Sequence, residues 1–272
     1  MQFAYMRPKN LDKGNFLQDS TDSPEEEASY AQDYLWFIPA PPEKEPDFHL
    51  PGLRVEPKEE HIVEDWARAE ASHAALLARV AGRLGALDDR LLRGPQGWRH
   101  RLALLEASDL SWFSGDRIGA DRLTLWVALH MSGVQDDAAA LARIGWSVRR
   151  LTGGSGPEEG LMEFLGRQDL KARTDQGTGI SDASAQWSEL MAMACDLHPI
   201  SQACMGYHLW AFISHGLGRD QIEATVTAGR IAASDCKGAI FAPLAMGGAG
   251  CLRANGPPSA RLRRWLVARQ SG

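Results

Sequence analysis

One spacing in the chain has the form of a metal site: Cys195, His198, Cys204 and His208, in the order C-x2-H-x5-C-x3-H. Two thiolates and two imidazoles satisfy tetrahedral zinc when all four converge. Here they fall on two apolar segments joined at Pro199, and nothing turns them toward one point, so neither a metal nor a cofactor is expected. His198 has a second candidacy. A histidine followed by proline at the junction of two helices puts an imidazole at a helix N-terminus, beside amides that bind anions. The competing role is a cap, with Pro199 in the first turn. Gly247-Gly248-Ala249-Gly250 is glycine-rich but lacks both the Gly-Lys-Ser/Thr ending of a phosphate loop and the Gly-x-Gly-x-x-Gly of a dinucleotide loop. It reads as a turn or a close helix contact. Ser114-Gly115-Asp116 lacks the flanks of a hydrolase elbow. Glu158 and Glu159 open a helix, where they complement its dipole.

These groups sit in a chain of 272 residues with 35 acidic and 29 basic side chains, a formal net charge of −6 and 44% hydrophobic residues. That composition is globular and excludes a collagen, a coiled coil or a chain disordered throughout. No apolar run reaches the ~18 residues of a membrane span. No basic-then-apolar leader opens the sequence, so no membrane contact and a cytoplasmic setting are expected. The four cysteines, in such a setting, read as small buried apolar groups rather than disulfides.

Charge is uneven. Residues 1–65 hold 15 acids and 6 bases, and eight of the fourteen prolines fall within residues 1–60. This reads as a flexible or draped acidic arm over 1–60, ahead of a helical domain over 61–272. Its one apolar cluster, Tyr34-Leu35-Trp36-Phe37-Ile38, reads as a docking element. Tyr34, Trp36 and Phe37 would seat on the chain's own helical body or on an unknown protein partner. From Leu252 onward there are five arginines and no acid. Arg261, Arg263 and Arg264 are candidates for phosphate contact with DNA, or they close and solvate a helix.

Apolar periodicity near 3.6 predicts an all-α fold, a multi-helix array. Ile62, Trp66, Leu76, Leu77, Val80, Leu84, Leu87 and Leu91 predict one long helix over His61–Leu92, stopped by Gly94-Pro95-Gln96-Gly97. A helix over Trp98–Phe113 carries Leu102, Leu105 and Leu110 inward. Helices follow from Asp121 to His130, from Asp136 or Asp137 to Leu151, and from Pro157 to Gly166. Arg167–Ala185 is polar and reads as a surface loop. Gln186–Leu197, Ser201–His215, Asp220–Ser234 and Ala260–Ala268 complete the helices. No run of alternating β-branched residues calls for a sheet.

Arg83–Leu91, Gly97–Leu102 and Glu106–Asp116, followed by Leu197–Trp210, give an order of pieces similar to the filamentation-induced-by-cAMP (Fic) family of nucleotide-transferring helical proteins. More closely, the chain resembles a degenerate Fic-like family of rhizobial-type plasmids and chromosomes, whose longer members end in a winged helix. The resemblance spans about residues 75–268. It implies a Fic-like scaffold with Leu197–Trp210 where the catalytic loop would lie. That loop runs His-x-Phe-x-Asp/Glu-Gly-Asn-Gly-Arg in the family, and only His198 has a counterpart here. The metal-holding acid, the Gly-Asn pair and the phosphate-binding arginine are missing. The expectation is therefore a non-enzymatic helical regulatory or interaction protein. The alternatives are a nucleotidyl-transferring enzyme using His198 and a DNA-binding regulator using the basic tail.

Overall fold

A computed structural model of the chain describes residues 59–129, 137–166, 176–213, 220–246, 249–253 and 255–269. The arm, with Tyr34, Trp36 and Phe37, lies outside the described residues, as do Gly247 and Gly248. Ten α-helices account for most of the rest, and no strand occurs among the described residues. They are α1 (Glu59–Ser72), α2 (Ala74–Arg93), α3 (Gly97–Ser114), α4 (Ala120–Leu129) and α5 (Ala138–Thr152), then α6 (Leu161–Leu165), α7 (Gln176–Met193), α8 (Pro199–Ile213), α9 (Asp220–Ala232) and α10 (Pro258–Ala268). Two 3-10 turns, Pro157–Glu159 and Ala249–Arg253, precede α6 and α10.

The centre is the α8–α9 hairpin, with α3 packed on α5 beside it and α1 packed on α10. α8 is apolar nearly all round, and Ala203, Cys204, Met205, Tyr207 and Trp210 are all buried. A helix of that kind belongs inside a protein, not on its surface. Gly206 lets α7 come close: a Cβ there would meet Met191 Sδ at 3.2 Å and Trp187 Cζ2 at 3.3 Å. Trp187 Nε1–H donates to the Gly206 carbonyl at 3.0 Å. The backbone approach that glycine permits at this point is thus taken by a tryptophan of the same fold.

The expected long helix is two. The chain turns at His73, whose Nε2 lies 3.1 Å from both the hydroxyl and the carbonyl of Ser259 at the start of α10. The other correction is α7, which starts at Gln176, ten residues before the expected helix and inside the expected loop. Ile180, Ala183, Trp187 and Leu190 bury one face at steps of three and four, enough to hold a helix of polar composition. Leu102 and Leu110 turn inward as expected, but Leu105 does not: it is 47% exposed.

Between α9 and the second 3-10 turn, residues 233–246 cross the body without regular structure, so their amides and carbonyls need partners. Three side chains supply them. The Asp88 carboxylate on α2 accepts from the amides of Gly238 at 2.6 Å and Ala239 at 2.7 Å. Glu106, on α3 and almost fully buried, accepts from Leu244 at 2.6 Å, Ala245 at 2.7 Å and Met246 at 2.9 Å. From the other side, Arg269 donates to the carbonyls of Pro243 at 2.9 Å, Met246 at 3.1 Å and also Leu244. Burial pushes the Glu106 carboxyl above its ordinary value, opposed by those three amides and by Arg269.

Replacing Glu106 with Ala strands three amide donors, most of them buried. We expect a loss of about 3–5 kcal/mol, read by urea unfolding. Glu106→Gln, which keeps one acceptor oxygen, should lose less. Gly238→Ala should be costly as well, because its Cβ would lie 2.3 Å from the Asp88 carbonyl and 2.5 Å from the Leu92 amide.

Candidate functional site

His198 stands at the N-terminus of α8, and its atoms do the work of a cap. Its carbonyl accepts from the amides of Ser201 at 2.8 Å and Gln202 at 3.0 Å. Its Nδ1 accepts from the Ile200 amide at 3.1 Å. Its own amide donates to Glu70 Oε2 on α1 at 3.0 Å. With Nδ1 accepting, a neutral ring carries its proton on Nε2. A general base needs a free acceptor nitrogen, and this ring spends its acceptor on the helix.

The imidazole borders a hollow of about 370 Å³ between α1, α2 and the start of α8, also lined by Glu70, Ala71, Ala74 and Asp196. Among the described residues, two carboxylates and no cationic side chain line it. Phosphoryl and nucleotidyl transfer need positive charge or amide donors around the phosphate oxygens. The charge here has the opposite sign.

The other members of the C-x2-H-x5-C-x3-H spacing do not converge with His198. Cys195 is exposed, and Cys204 is fully buried in the core. Among the described residues no group of three or more His, Cys, Asp or Glu could hold a metal ion. His208 stacks near Trp66, with ring centroids 6.4 Å apart, and meets Tyr207 edge-on at 5.0 Å. Burial, and secondly the charge of Arg261, push its pKa down to about 3. Of the three tail arginines, Arg263 and Arg264 are exposed on α10, whereas Arg261 is half-buried against His208. Ser114-Gly115-Asp116 is a helix end: Gly115 takes the left-handed conformation at φ 91°, and Asp116 pairs with Arg143 at 2.7 Å.

A second, larger concavity was not legible in the sequence. A cleft of about 780 Å³ opens beside α2, with Val80, Leu84 and Leu87 along one wall. Leu102, Pro243, Leu244 and Leu266 contribute from three other segments, and Trp265 closes the apolar lining. Among the described residues, Arg83, Arg90 and Arg269 are its charged residues and no acid lines it. Arg83 Nη1 donates to the Arg269 carbonyl at 3.2 Å, and Arg269 clamps residues 243–246. Leu84 and Leu87 were legible as the apolar face of α2. Nothing local showed that this face is left partly uncovered, because its opposite wall comes from residues more than 100 positions away.

Two outcomes test these assignments. His198→Ala should cost about 0.5–2 kcal/mol of stability, the usual loss of an N-cap, and His198→Asn should recover most of it. His208 has a folded pKa near 3, below its unfolded value near 6.5. The unfolded chain therefore binds this proton first. The stability it contributes is complete above pH ~6.5 and is lost as pH falls toward 3, by at most ~1.4 kcal/mol per pH unit. His208→Phe should flatten that part of the stability–pH curve.

No protein-family model, no curated protein and no solved structure matches this chain.

Proposed function

We propose that this chain is a non-enzymatic helical interaction protein with a regulatory role, and that the arginine-lined cleft receives its partner. The observation that carries this reading is the cleft itself: an apolar lining from several segments, with cations around it and no acid among the described residues. Pockets of this size and character bind apolar groups, with a few polar side chains fixing their orientation. Its charge suits an apolar protein segment flanked by acids. Support also comes from His198, whose acceptor nitrogen caps α8 beside two carboxylates. A Fic-like scaffold without the transfer chemistry fits that arrangement. No helix among the described residues is long and apolar enough to cross a membrane.

The test has two arms. Anilinonaphthalene sulfonate, an apolar anionic fluorophore, should bind the wild-type cleft and brighten; Leu84→Glu with Arg90→Glu should weaken this at least about tenfold. Unchanged binding would remove the cleft from the proposal. Labelled ATP with magnesium or manganese should leave no label on the chain or on lysate proteins. Labelling lost in His198→Ala would instead establish nucleotidyl transfer.

A further inference from the structure

Leu105, expected inside, points the way to a second surface. α3 is otherwise a core helix: Ala103, Leu104, Glu106, Ala107, Ser108, Leu110 and Ser111 are all buried. From Arg101 to Trp112 its exposed residues are only Arg101, Leu105, Asp109 and Trp112, and Trp98 continues the same stripe one turn earlier. Trp98 is 49% exposed and Trp112 is 58% exposed. Together with Leu105 these side chains leave on the order of 300 Å² of apolar surface open in one line, the scale of a patch that marks an interaction site.

The order of residues along the stripe is symmetric about Leu105. Trp98 and Trp112 each lie seven positions from it, and Arg101 and Asp109 each lie four positions from it with opposite charge. At 100° per residue all five fall within about 40° of one line along the helix. Arg101 and Asp109 are eight positions apart, roughly 12 Å along the axis, so they are poorly placed to pair within one helix. Neither has an ion pair or side-chain hydrogen bond among the described residues.

We propose that the chain pairs with a second copy of itself through this stripe, the two α3 helices running antiparallel about a twofold axis at Leu105. An antiparallel pair sets residue 105−n against residue 105+n of its partner. Trp98 of each chain then meets Trp112 of the other, Leu105 meets Leu105, and Arg101 meets Asp109 at both ends. This is the self-complementary pattern that a twofold interface requires. The spacing of seven keeps the seam facing its partner along about four turns, with the shallow crossing of helices that pack on a heptad repeat. A parallel pair would oppose Arg101 to Arg101 and Asp109 to Asp109, so the charges select the antiparallel arrangement. Burial already pushes the Asp109 carboxyl above its ordinary value, with no donor among the described residues to oppose it; the partner guanidinium supplies one. The surface is separate from the arginine-lined cleft and stands independently of what the cleft binds.

The charges also provide the test. Sedimentation of the full chain, from about 5 to 200 µM, should show a monomer–dimer equilibrium, as expected of a small interface. Arg101→Asp alone and Asp109→Arg alone each oppose like charges at both ends, and each should weaken dimerisation at least about tenfold. Mixing the two single variants should restore dimers, because every seam contact between unlike chains is then an Asp–Arg pair. The double variant Arg101→Asp/Asp109→Arg should dimerise with itself. The restored mixture also shows that both single variants are folded. A wild-type chain that stays monomeric throughout overturns the proposal. So do single variants that still dimerise, or a mixture that stays monomeric.

Discussion

The fold depends on how fourteen residues without regular structure are held across a helical body. Residues 233–246 satisfy only part of their own backbone, and Ala239, Phe241, Leu244 and Ala245 are buried along that path. Asp88 and Glu106 take the amides, and Arg269 takes the carbonyls. These three side chains stand on α2, on α3 and just beyond α10, so one stretch of chain ties together helices nearly 180 residues apart. Glu106 is the costliest member, because its carboxyl is stripped of water and its only compensation is this set of bonds. A buried acid of that kind is weak evidence of extra stability, but removing it leaves its three amide donors without their acceptor.

The same clamp builds the cleft. Pro243, Leu244 and Met246, whose backbone it fixes, form the wall opposite Val80, Leu84 and Leu87. Polar bonds fix the far side of the cleft, and one of the cations around it, Arg269, belongs to the clamp. Arg269 thus has two places in the structure: it holds the wall and adds charge to the cleft.

A comparable economy governs the histidines. His198 and His208 lie ten positions apart on either side of a helical junction, and chemistry was conceivable for both. One became a cap with its acceptor nitrogen used, and the other was enclosed by Trp66 and Tyr207 and kept neutral. His198 commits its acceptor nitrogen to the helix, and His208 is held among buried aromatic rings. Phe164 shows how the fold spends cations in the same structural way: Arg150 and Arg230 both lie over its ring, and Arg230 also caps α5 through the carbonyls of Arg150, Gly153 and Gly154.

The helical class, most helix ends and the identity of Pro199 as a first-turn residue were legible in the residues, because periodicity and caps are local. Leu77, Val80 and Leu91 announced the buried face of α2, and Gly94 with Pro95 announced its end. What was not legible depended on partners far along the chain. The break at His73 brings its ring to Ser259, far along the chain, and Glu106 is buried against residues 244–246. The apolar residues of α3 are spread all round it, so no periodicity says which leucine faces the core; only the packing of α5 and residues 244–246 turned Leu104 and Leu110 inward and left Leu105 out. Periodicity determines that a helix has a face to bury. Which face stays open is decided by how many neighbours reach it, and that is a property of the assembled body alone.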